Sequence, residues 1–176
     1  MSENNYKQKR FEDREDIAGE HKLTDLGQIV LAVLFAVIWI TDNFIFHYSD
    51  FINSHIPWYF RIFPGLILLV VSAYLSRQGL KTVFGEIRQT PGVIRKGVFK
   101  LVRHPIYLSE IILYIGLNIL HISLVSIAVI VAAFIFLHLV SRHEEKLLLE
   151  KFGDDYRKYM NEVPMWIPGI NKFKKK

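Results

Sequence analysis

The chain has 176 residues and a mass of 20.6 kDa, with 22 Lys and Arg against 17 Asp and Glu, a net charge of +5 and 51% apolar residues. This composition excludes a disordered chain and a coiled coil. With no cysteine, a disulfide framework, a thiolate nucleophile, a zinc–thiolate site and an iron–sulfur cluster are excluded too, and no metal is expected.

Residues 1–25 carry five basic and seven acidic side chains, with no basic stretch leading into a short apolar core. They read as a polar N-terminal arm rather than a signal peptide. The rest, 26–176, reads as one domain. Its first apolar run covers 26–46, long enough to cross a hydrocarbon core of roughly 30 Å with about 20 residues. Asp42 and Asn43 fall near its far end, where water is close. The second run covers 56–75, interrupted by Arg61 and Pro64 in its first half; Trp58 and Tyr59 suit an interfacial belt. Residues 76–105 are polar, with Gly85, Pro91, Gly92 and Gly97 as breakers. Two further apolar runs, 105–120 and 124–140, are separated only by His121-Ile122-Ser123, which predicts a tight antiparallel helical hairpin. The first arm is short for a full span.

The fold class expected is therefore all-α: a polytopic integral membrane bundle of about four transmembrane helices. Amphipathic stripes, the mark of a soluble bundle, are missing from these near-continuous runs. The basic residues set the orientation. Segment 76–105 has seven Lys and Arg against Glu86 alone, segment 141–176 has nine, and the loops 47–55 and 121–123 have none. Basic loops stay cytoplasmic, so both termini are expected there. This topology accounts for the positive charge, so no nucleic-acid partner is implied. Glycine-rich nucleotide loops, G-x-S-x-G and H-E-x-x-H are all absent.

Ionisable groups at the membrane edge carry the functional signal, because they are costly there. Pro105 suits the first position of a helix, which leaves free backbone donors and a positive dipole end beside Arg103 and His104. Spacings of 4, 3 and 4 place Arg103, Tyr107, Glu110 and Tyr114 on one helix face, and Gly116 would let a neighbouring helix approach closely. After the last span come Glu144 and Glu145. Phe152, Tyr156, Tyr159 and Val163 then repeat at helical spacing, and Pro164 and Pro168 flank Trp166. The hairpin returns this tail to the Pro105 end, where it can fold over Arg103–Tyr107 as a cytoplasmic lid. Arginine and helix-end donors suit a carboxylate, glutamate an ammonium, and aromatic faces a planar heterocycle. S-adenosylmethionine has all three parts; a nucleotide or an anionic lipid headgroup fits in part.

The segments GVFKLVRHPIYLSE (97–110) and RHEEKLLLEKFGDDYRKYMNEVPMWIP (142–168) resemble the integral-membrane methyltransferases typified by isoprenylcysteine carboxyl methyltransferase, with the phospholipid methyltransferases as relatives. The resemblance covers the C-terminal two-fifths of the chain. It implies S-adenosylmethionine as methyl donor, bound by segments 95–107 and 141–170, and a lipophilic acceptor entering from the bilayer. It implies that His104, Pro105 and Tyr107 contact the donor, with Tyr156, Tyr159 and Pro168 in the lid. Arg103, Glu144 and Glu145 would hold the donor or position the acceptor. Ser109 departs from the family, which often has glycine there. A small intramembrane NADPH-dependent reductase of the sterol type shares the Arg-His-Pro-x-Tyr element, and a non-enzymatic lipid-binding membrane protein is the third reading.

Overall fold

The computed structural model describes residues 22–84 and 92–169, and among them every regular element is helical. Most of the expected arm thus lies outside the described residues. Helix α1 (Lys22–Thr41) continues into a π-helical turn (Asp42–Phe46). A short α2 (Asp50–His55) precedes α3 (Trp58–Phe84). A 3-10 turn (Gly97–Lys100) leads to α4 (Pro105–Leu120), and α5 (Leu124–Glu162) completes the bundle.

Three helices are long and apolar enough to cross a membrane: Thr24–Phe46, Trp58–Phe84 and Leu124–Glu162. Only 17% of the apolar window in each of the first two is buried within the molecule. Val30, Val33, Val37, Phe63, Ile67 and Val70 point outward. A water-soluble bundle would hide such faces against a core; a bilayer covers them at no cost. The protein is a polytopic membrane protein. The fourth apolar helix, α4, has 16 residues, about 24 Å at 1.5 Å per residue.

Close backbone approach explains the most extensive helix contact, α3 against α4. On α3, Gly65, Ser72 and Gly79 recur every seventh residue on the buried face. A β-carbon on Gly65 would lie 2.5 Å from Leu120 Cδ2, and one on Gly116 would lie 3.2 Å from Leu68 Cβ. The two glycines therefore let the helices touch, as the sequence predicts for Gly116. Midway along, Ser72 Oγ donates to the Ser109 carbonyl at 2.6 Å. In an apolar solvent such small-residue packing replaces the hydrophobic effect as the force between helices. On the other side, Phe35 of α1 stacks on Tyr114 of α4 at 4.5 Å and packs with Val129, Ala133 and Leu137 of α5.

Two boundaries differ from the sequence expectation. Helix α3 starts at Trp58, carries Pro64 without breaking and runs on past Leu75 to Phe84. Helix α5 runs on past the apolar run that ends at Val140: no glycine or proline intervenes before Gly153, where two helical segments join to carry the chain on to Glu162. It bends at Gly153, whose φ of 52° and ψ of −127° suit only glycine.

Alternating helix directions gather residues 42–61 and 118–126 at one end of the bundle, here the His121 end, and 95–107 and 141–166 at the other, the Pro105 end. The His121 end holds a polar knot. Ser49 Oγ donates to Asp42 Oδ2 at 2.7 Å, and Ser123 Oγ donates to the same oxygen. The Leu124 amide donates to Ser49 Oγ at 2.9 Å, which caps α5 from a different segment. Trp39 Nε1 donates to the His121 carbonyl at 2.9 Å, His121 Nδ1 donates to Asn43 Oδ1 at 2.8 Å, and Asn53 Nδ2 donates to the Ile122 carbonyl at 2.8 Å. Arg61 donates to Asn53 rather than to any acid. Asp42 and Asn43 are 3% and 2% exposed, so the protein covers both side chains. Burial, with Arg61 nearby, pushes the His121 imidazole below the ordinary histidine range.

Candidate active site

At the Pro105 end, the chain turns before α4 so that His104 stands at the N-cap position, its side chain free of any capping bond, and Pro105 follows at the start of the helix. Proline there needs no hydrogen-bond partner, and its fixed φ starts the helix. The side chains just before and after this turn meet the face of α5 beyond Val140.

Arg103 Nε donates to Glu145 Oε1 at 2.6 Å. Its Nη1 donates to the carbonyls of Met160 and Val163 at 2.9 and 2.8 Å, and its backbone amide to the Pro164 carbonyl at 2.9 Å. His104 Nε2 sits 3.2 Å from Glu145 Oε1, and its Nδ1 sits 3.6 Å from Glu144 Oε2. The Tyr107 hydroxyl donates to Glu144. Each carboxylate of the Glu-Glu pair therefore reaches back to the start of α4: Glu145 to Arg103 and His104, Glu144 to His104 and Tyr107. Burial alone would raise the Glu145 carboxyl, but hydrogen bonds from His104 and Arg103 and the guanidinium charge outweigh it and hold the group below its usual range.

A strap at 163–169 closes over this cluster. Trp166 lies 6.3 Å from the His104 ring, and His104 stacks parallel to Tyr107 at 5.7 Å. Beneath the strap, Tyr156, Tyr159 and Val163 form a small buried core. The Tyr159 hydroxyl donates to the Phe99 carbonyl at 2.7 Å, and Arg95 Nη2 bonds the Asp155 carboxylate at 2.7 Å. Burial raises both tyrosine phenols above the ordinary range. The tail does fold over Arg103–Tyr107, clamped on both sides.

The structure thus brings together Arg103, His104, Pro105, Tyr107, Glu144 and Glu145, and sets Tyr156 and Tyr159 as the packing beneath them. Pro168 lies exposed in the closing turn. Glu110 accepts from Tyr114 one turn deeper and is not joined to Arg61. Trp166, His138 and Ser141 were missed as candidates. Trp166 Nε1 donates to His138 Nδ1 at 3.2 Å. Ser141 is fully buried, and its hydroxyl has no partner among the described residues. The available signal was an imidazole and a hydroxyl on the face that carries Glu145.

The arrangement offers a carboxylate for an ammonium, unspent amides at the start of α4 for an anion, and three aromatic faces for a planar ring. No group of three or more His, Asp or Glu residues suited to a metal occurs among the described residues.

Comparison with known proteins agrees. The family model for phospholipid methyltransferases matches residues 61–155, which take in α3, α4 and α5 to just beyond its bend. Methanethiol S-methyltransferase 1 of Bradyrhizobium diazoefficiens is 35% identical over 114 residues, 60% of this chain and 39% of that protein. Protein-S-isoprenylcysteine O-methyltransferase A of Arabidopsis thaliana is 27% identical over 118 residues, 61% and 59% of the two chains. Steroid 5-alpha-reductase DET2 of Gossypium hirsutum is 28% identical over 123 residues, 68% and 48%. The matches span about two-fifths to three-fifths of these relatives' lengths. With more than half of its length matched, the chain belongs to the phospholipid methyltransferase family.

Proposed function

We propose that the protein is an S-adenosylmethionine-dependent membrane methyltransferase that passes a methyl group to a lipophilic acceptor entering from the bilayer. The observation that carries this reading is the closed set at the Pro105 end: Arg103, His104 and Tyr107 joined to Glu144 and Glu145 beneath the Trp166 strap, within a family-matched segment. The donor supplies an electrophilic methyl on a sulfonium. His104, Tyr107 and Glu144 would hold it, with the backbone amides of Ile106 and Tyr107 available to its carboxylate. Arg103 and Glu145 position that wall by fixing the strap, and Tyr156 and Tyr159 support it from below.

Methyl transfer of this kind needs alignment more than proton chemistry. Holding nucleophile and methyl in line supplies up to about 7–11 kcal/mol of a barrier. A carboxylate acceptor is ionised at neutral pH and needs no base. A thiol or amine would lose a proton, for which Glu144, Glu110 or His104 is at hand. Relatives named for methanethiol and for isoprenylcysteine support a lipophilic acceptor with a small reacting head. The Pro105 end, flanked by the basic segments 76–105 and 141–176, faces the cytoplasm in this reading, with both termini on that side and 26–176 as the working domain.

A nicotinamide-dependent reductase is the second reading, favoured by the reductase relative. It leaves the bonds from Glu144 and Glu145 to the start of α4 without a purpose. Titration calorimetry of the purified protein separates the two: S-adenosylhomocysteine binds and NADPH does not. The reverse result ends the proposal. Labelled donor with a membrane lipid extract then identifies the fraction that takes up methyl, and Glu144→Gln abolishes uptake in a folded protein.

A further inference from the structure

His138 is an ionisable side chain inside the apolar part of α5, a placement that is costly unless it serves a function. Its partner fixes its chemistry. An indole nitrogen only donates, so the bond from Trp166 Nε1 requires a lone pair on His138 Nδ1. The neutral ring must then carry its proton on Nε2, which becomes a fixed hydrogen-bond donor at membrane depth. Phe134, one turn further into the bilayer, stacks on His138 at 6.2 Å and meets Trp166 at 5.5 Å, so the imidazole sits in an aromatic slot.

His138, Ser141 and Glu145 are spaced 3 and 4 apart and share one face of α5. Glu145 lies against His104, whereas Ser141 is fully buried with an unspent hydroxyl. The three form a polar track that runs about 10 Å from the Glu-Glu cluster into the membrane, at about 1.5 Å per residue. An unspent buried hydroxyl and an oriented N–H in an otherwise apolar helix are what an anionic head on a lipid-like tail would require.

We infer that His138 and Ser141 form the acceptor site: Nε2–H of His138 and Oγ–H of Ser141 donate to the thiolate or carboxylate of the acceptor, whose tail remains in the bilayer beside Phe134. This rests on the methyltransferase reading and adds the acceptor's chemistry to it. In the step served, an acceptor lone pair forms a bond to the methyl carbon as the carbon–sulfonium bond breaks. That electron pair stays on the donor's sulfur, which becomes a neutral thioether. Both charges vanish, and His138 keeps its proton throughout.

The test uses full-length protein in micelles, with hexanethiol and an N-acetyl-S-prenylcysteine as acceptor probes and S-adenosylhomocysteine as donor-site probe. His138→Phe keeps an aromatic ring but removes the donor. It should lower kcat/KM for the favoured acceptor, and weaken its calorimetric binding, by about 10- to 100-fold, the loss expected for one hydrogen bond to an anion. Affinity for S-adenosylhomocysteine should stay within about twofold. His138→Gln, which restores an N–H near Nε2, should recover most of the loss. Unchanged acceptor binding in His138→Phe overturns the proposal and leaves the methyltransferase reading standing. Loss of S-adenosylhomocysteine binding in both variants makes His138 a packing residue and overturns it as well. Wild-type protein that binds no S-adenosylhomocysteine removes the underlying reading instead.

Discussion

The two ends of the bundle solve the same problem with different materials. At the His121 end, one carboxylate, Asp42, is ringed by hydroxyls, amides and helix-end groups from three separate segments. At the Pro105 end, two carboxylates meet one guanidinium, one imidazole and one phenol drawn from only two segments. The first pattern is a structural joint, in which two serine hydroxyls share one oxygen of a single carboxylate. The second holds several ionisable groups in direct contact and sets the rings of Tyr107 and Trp166 beside them. Clustered charge under an aromatic strap is the signature of a site; a knot of hydroxyls and amides about one carboxylate is the signature of a structural joint.

The contrast breaks most sharply at Arg103. Arg103→Met leaves Glu145 buried without its cation and removes the side-chain donors to the Met160 and Val163 carbonyls. It should cost about 3–5 kcal/mol, the usual penalty for orphaning a buried charge, and abolish S-adenosylhomocysteine binding; thermal unfolding in micelles and calorimetry read both. Asp42→Ala at the opposite end should cost about 1–3 kcal/mol by leaving two serine hydroxyls unmatched. Donor-analogue affinity should be unchanged. An equal loss of ligand binding in both variants would erase the distinction between the ends.

Acid should separate them by window. The His121 imidazole is depressed in the fold, so the unfolded chain binds more protons below its ordinary value of 6.5, and stability falls as pH drops through that region. The Glu145 carboxyl is also depressed, so its contribution is full above 4.5 and is lost only as pH falls below that value. His121→Asn should flatten the first decline and Glu145→Gln the second, measured by melting temperature against pH. A single decline untouched by either variant counts against both assignments. The smallest effect belongs to Pro168→Ala. That residue is exposed, and both stability and donor-analogue affinity should stay within about 0.5 kcal/mol of wild type.

Much of the Pro105 end was legible in sequence because it is local. Arg103, His104, Pro105 and Tyr107 lie within five positions, Glu144 and Glu145 are adjacent, and a three-residue link forces the helices that carry them back together. The His121 knot was not legible, since Asp42, Ser49 and Ser123 meet only in three dimensions, and a carboxylate near the end of an apolar run looks solvated. In sequence Trp166 is a residue between two prolines; its contact with His138 follows the bend at Gly153, which no spacing rule supplies. The apolar run 124–140 marks only part of α5. Polar residues after Val140 mark where the membrane ends, and helices do not have to end there.

The unequal lengths of α3 and α4 reach beyond the protein. Helix α4 joins both polar ends with 16 residues, about 24 Å, where an average hydrocarbon layer measures roughly 30 Å. Lipid beside its exposed Leu113 and Ile115 would have to thin to match it, or the longer α3 would have to tilt. Mismatch of this kind carries an energy that grows with acyl-chain length. A membrane of shorter-chain lipids would match the distance between the two ends more closely.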